Sequence, residues 1–326
     1  MRGVSLVSVF FIGLSFFSFY RCAKQDVVAE AVRGAHLLLN TSDCQSALNV
    51  LQTIGHQPRN ASYLLALSSA YACKASFSLS RLIATDLLEA SSPTPLGGLT
   101  KFSTSTMEFP EDVGFVGIQQ AIDTLLFAGG IEETNNPTSL LRAQYFSKSD
   151  LDLLESQLFF LIMAQLGRYM RFYGNGNAQG VKGRCFVSYE NLPLTVGDLN
   201  LMLQSSGGAC TGAPATGHAA LGSGADNTVN ASRLCYGVML VNNFKELAPK
   251  VLSAYAGDTV SNLSTFSTIT QVVDTAISTA TSGLYDMTTV SGVLGHKRCL
   301  NNIEAISNDT RSLQIFSAFY LESLFQ

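Results

Sequence analysis

The chain has 326 residues, a net charge of −4, and only 13% Asp, Glu, Lys and Arg. That length buries one large core or two modest ones, and the lack of a basic face or Lys/Arg run argues against nucleic acid as a partner. Ser, Thr, Asn and Gly carry most of the polar surface, a composition that leans toward an exported protein.

Arg2 followed by an unbroken run of apolar, Gly and Ser residues from 4 to 20 has the form of a secretory signal, so residues 1–21 are set aside from the fold. The run is short for a membrane-spanning helix. Cys22, directly after it, resembles the bacterial lipoprotein signal, in which a diacylglycerol is attached to the cysteine and the chain is cleaved before it. The resemblance implies a protein of the bacterial cell envelope, lipid-anchored at Cys22 and facing the periplasm or the exterior. Phe19, Tyr20 and Arg21 stand where that signal carries small residues, which leaves an uncleaved anchor or plain secretion as alternatives.

Residues 25–40 read as a first helix with Val27, Val28, Ala31, Ala35 and Leu38 on one side. Ser42 with Gln45 forms a capping box for a second helix, which Leu48, Leu51 and Ile54 mark and the 55–58 segment stops. Asn60 caps a third, with Leu64, Leu67, Ala70 and Tyr71 on one face. Cys44 and Cys73 lie at comparable distances before and after the turn, so an antiparallel hairpin brings them to the same height for a disulfide. An offset of about 34 residues aligns Gly34 with Ser68, Leu37 with Tyr71, Ser46 with Ser80 and Val50 with Ala84. This resembles tetratricopeptide-type helix-turn-helix repeats over roughly 22–90, with an ordinary helical bundle as the alternative.

From 91 to 110, three Pro and two Gly residues break the helical period and predict a long connection, the joint between the 22–90 unit and a 91–326 helical domain. Helices follow over 113–128, ended by Gly129 and Gly130, and over 139–146. The most apolar stretch, 149–173, is interrupted by Asp152, Glu155, Gln157, Gln165, Arg168 and Arg171. It reads as a buried core helix capped by Ser149 rather than a membrane span. Gly-rich loops at 174–183 and 205–226 flank a short helix at 195–203, and helical patterns return at 229–247, 250–256, 263–282 and 309–325. No alternating strand pattern stands out, so the fold class is all-α, a helical bundle with long Gly-rich loops.

Seven cysteines are present. Setting Cys22 aside for lipid leaves Cys44, Cys73, Cys185, Cys210, Cys235 and Cys299, an even set suited to an oxidising compartment. Besides Cys44–Cys73, the expected pairs are Cys210–Cys235, which closes the shorter Gly-rich loop, and Cys185–Cys299. No C-x-x-C or His/Cys cluster predicts a metal. His36, His56, His218 and His296 include no pair at i, i+3 or i, i+4, and no H-E-x-x-H, Walker or nucleophile-elbow motif occurs. The sequons at Asn40, Asn60, Asn230, Asn262 and Asn308 are what a chain rich in Ser, Thr and Asn contains by composition.

As a whole the chain resembles uncharacterised helical lipoproteins of Gram-negative bacteria and, more distantly, repeat-containing lipoproteins associated with substrate-binding-protein transporters. That resemblance implies a protein partner. The expectation is a scaffold that binds a protein, needs no cofactor and catalyses nothing, with Tyr63 and Tyr71 lining a groove beside Ala66 and Ala70. The alternative is a small-molecule or lipid carrier with an apolar cavity beside Phe159, Phe160 and Met163.

Overall fold

The structure, a computed structural model, describes residues 27–88, 96–189, 217–223, 228–254, 287–322 and 324–325. The signal stretch with Cys22, the helices expected at 195–203 and 263–282, and Cys210 lie outside the described residues. Within them the fold is all-α as the periodicity predicts. The exception is a two-residue antiparallel pairing of Gly222–Ser223 with Thr228–Val229.

The first helix, α1, covers 27–40 and is followed by α2 (Cys44–Thr53) and α3 (Ala61–Lys74). Asn60 caps α3 as expected, its Oδ1 accepting the Tyr63 N–H at 2.9 Å. The cap of α2 differs. Ser42 is left-handed (φ +60°), and Asp43 takes the cap by accepting from Ser46 N–H at 3.1 Å. Gln45 then bonds Asn49 one turn on. Beyond α3, α4 (Leu79–Arg81) widens into a π turn, Leu82–Asp86.

The described part of the expected joint, from Leu96 onward, is folded into the body. A 3₁₀ turn at Gly97–Lys101 packs on the central helix, and Leu96, Leu99 and Phe102 are buried. A Cβ at Gly167 would collide with the Leu99 carbonyl oxygen, so only glycine lets the two backbones approach this closely. Next come α5 (Val113–Leu126) and α6 (Ser139–Arg142). Gly129 and Gly130, both with positive φ, turn the chain after α5.

The central helix is α7 (Lys148–Tyr173), started by Ser147 rather than Ser149: the Ser147 hydroxyl accepts the Asp150 N–H. Every residue from Leu158 to Met170 is buried, because α3, α5, the 3₁₀ turn and α8 (Ala231–Ala254) surround it. Two of its buried polar side chains are met by α5 and its cap: Gln165 donates to the Phe115 carbonyl at 3.0 Å and Arg168 pairs with Asp112 at 3.1 Å. Among the described residues no helix is long and apolar enough to cross a membrane. The two helices expected at 229–247 and 250–256 are one. α8 runs through Pro249 near its end, held by the buried Leu247, Ala248 and Val251. α9 (His296–Ala305) and α10 (Arg311–Phe316), the latter continuing as a π turn at Ser317–Glu322, pack on α8. One hydrophobic core runs from Val28 to Phe325, shared by residues 27–88 and the described residues that follow.

Candidate functional site

The expected groove residues are not all at the surface. Tyr63 is 2% exposed, with its hydroxyl donating to the Leu51 carbonyl at 3.4 Å, and Ala66 and Ala70 are fully buried. The reason is position: α3 is sandwiched between α2 on one side and α5 and α7 on the other. Its alternation of small and aromatic residues is therefore interior packing, and Ser68 there donates to the Ala121 carbonyl at 3.0 Å. Tyr63 is corrected to a core residue. Tyr71 is half-buried, its hydroxyl accepting from Gln52 at 3.4 Å.

Apolar surface appears one helix further on. Val113 is 74% exposed, Phe109 54% and Val116 41%. Val113 and Val116 stand at i, i+3 on one side of α5, while Phe115, Ile118 and Ile122 face the core. At Gly117, α5 crosses the end of α3, against Ala75 and Tyr71. Leu79 and Ile83, also exposed, follow just beyond that end of the chain.

This face stands on a rigid frame. Asp112 accepts from Phe115 N–H at 2.8 Å, from Glu108 N–H at 3.1 Å and from Arg168 at 3.1 Å. One carboxylate thereby ties the Phe109 turn to both α5 and α7. Glu111, left-handed at φ +55°, takes a two-pronged bond from Arg233 at 2.8 and 3.1 Å, which fixes the same turn to α8.

A second constellation joins α5, α8 and α9. The His296 ring stacks on Tyr236, centroids 3.8 Å apart, and Tyr236 meets Phe115 edge-on. Burial lowers the His296 pKa. Its Nε2 reaches the Ser232 carbonyl at 2.9 Å and the Ser232 hydroxyl at 3.3 Å. A carbonyl only accepts, so Nε2 carries the proton and is no base for the hydroxyl. Nearby, Asp123 is pushed up to about 7, first by burial and also by Glu133, against the Gln119 amide that donates to it. The arrangement anchors α9 and offers no nucleophile.

A third lies wholly inside. Glu322 and Lys182 are both 0% exposed, with Nζ 2.5 Å from Oε2. The other carboxyl oxygen accepts from the Tyr189 hydroxyl and from Phe186 N–H, each at 2.7 Å. Burial raises the Glu322 pKa, and Lys182, Tyr189 and Phe186 work against that rise. Sequence reasoning missed this cluster and the α5 face alike. Lys182 and Glu322 are 140 positions apart, and Val113 and Val116 read as ordinary members of an apolar helix.

Cys44 and Cys73 are bonded, as the hairpin register requires. Cys235 is bonded to Cys299, which overturns both expected pairs of the C-terminal half. The two cysteines sit on α8 and α9, which pack directly, whereas loop length alone had pointed to Cys210. Cys185 is also disulfide-bonded. Among the described residues no cluster of three His, Cys, Asp or Glu is placed to hold a metal. No protein family, characterised protein or solved structure matches the chain.

Proposed function

We propose that this is an exported, lipid-anchored protein of the bacterial envelope that binds another protein through the outer face of α5 and catalyses no reaction. The observation that carries the reading is the exposed, rigidly framed apolar face of Phe109, Val113 and Val116. Singly exposed apolar residues are ordinary, but Val113 and Val116 are neighbours at i, i+3 on one helix face, and grouped apolar surface is the usual mark of an interaction site. Anchoring at Cys22, the residue directly after the apolar N-terminal run, would hold the protein at a membrane surface.

The carrier alternative needs space beside α7. Phe159 and Met163 are instead fully buried, and the Phe159 ring packs on Phe244 at 5.3 Å and on Phe160 at 5.8 Å. That filling favours the scaffold.

Capture from native membranes tests the proposal, with wild type compared against Val113→Asp/Val116→Asp. Both side chains are exposed, so the variant keeps its helicity and melting behaviour. It is expected to lose a specific partner at least tenfold, in line with the cost of a charge in an apolar contact. Equal capture by wild type and variant would remove the α5 face from consideration.

A further inference from the structure

We propose that Lys182 and Glu322 become joined by an intramolecular amide between Nζ and Cδ, an isopeptide crosslink that the protein forms by itself. The two groups are fully buried and touch, with Nζ 2.5 Å from Oε2. What sets them apart from an ordinary buried ion pair is the other oxygen. Oε1 accepts from two donors, the Tyr189 hydroxyl and the Phe186 N–H, both at 2.7 Å. Two short, fixed donors on one carbonyl oxygen form the arrangement that stabilises charge developing there during attack on the carbon.

The chemistry needs nothing from outside. The proton passes from Nζ to Oε2, leaving a neutral amine and a carboxylic acid. The amine lone pair attacks Cδ, and the C=O electron pair moves onto Oε1 between its two donors. A second proton passes from nitrogen to Oε2. The Cδ–Oε2 bond then breaks, the C=O bond re-forms, and one water leaves. Amine plus acid gives amide plus water, with no oxidant, reductant or co-reactant.

In bulk water the charged pair and mass action oppose this condensation. Here the ends are held in contact, which replaces a bimolecular encounter by a fixed one, and water is excluded. The Tyr169 hydroxyl, buried without a hydrogen-bond partner among the described residues, lies near enough to Glu322 and Tyr189 to sense their charge. The bond would tie the 174–189 loop to the C-terminal π turn, adding a crosslink to those made by the disulfides.

Tryptic mapping of the reduced, alkylated full chain decides it. An amidated lysine resists trypsin, so the expected product is residues 172–184 joined to residues 312–326, lighter than the two together by one water. Separate peptides 172–182 and 312–326, with cleavage after Lys182, would overturn the proposal, and wild type alone suffices for this reading. Tyr189→Phe, which keeps the ring, is expected to slow crosslinking at least tenfold on refolding. An unchanged rate would remove the Tyr189 hydroxyl from the mechanism.

Discussion

Asp123 shows how one side chain sets a dependence on pH. Its ordinary pKa is 3.8 and the fold raises it to about 7, so the folded protein holds a proton that the unfolded chain has released. Folding stability therefore falls as pH rises from about 4 to about 7 and changes no further above that. Asp123→Asn keeps an oxygen for the Gln119 amide and never ionises. The variant is expected to match wild type below about pH 4 and to exceed it by roughly 1–3 kcal/mol at pH 8. Urea unfolding at the two pH values checks this, and a difference that does not vary with pH would contradict it. Single residues were also where sequence reasoning fared most unevenly. Asn60 was legible as a cap because the helix after it is strongly periodic. Ser42 was misjudged because its neighbour Asp43 offers an equally good acceptor, and only the left-handed backbone at Ser42 decides between them.

At the scale of elements, the apolar run of α7 and its scattered charges told enough to separate a core helix from a membrane span. What the run did not reveal is where its charges go: Arg168 finds Asp112 from another helix, a contact that no local pattern encodes. Disulfides divide in the same way. Cys44–Cys73 follows from the geometry of one hairpin, while Cys235–Cys299 depends on how α8 and α9 meet, 64 residues apart. Non-reducing peptide mapping should give these two pairs and a third that joins Cys185 to Cys210, the cysteine left over if Cys22 carries lipid. Cys185 found with Cys22 would contradict acylation at Cys22. Replacing Cys235 and Cys299 by Ala is expected to cost about 4 kcal/mol in the chain-entropy account of a loop this long.

For the whole molecule, periodicity was enough to give the all-α class, since helical spacing is a local property and most long helices here carry it. The functional surface was not legible, because exposure is decided by neighbours. α3 and α5 are similarly apolar, yet α3 is covered on two sides and α5 leaves Val113 and Val116 in solvent. The proposed binding role rests on that difference, and crosslinking in intact cells tests it most directly. A photoreactive residue is placed at 113 or 116 in the full chain, and for comparison at the exposed Glu304 on α9. The account predicts one and the same protein adduct from positions 113 and 116 and none from 304. The contradicting result is no adduct at 113 and 116 above the yield at 304.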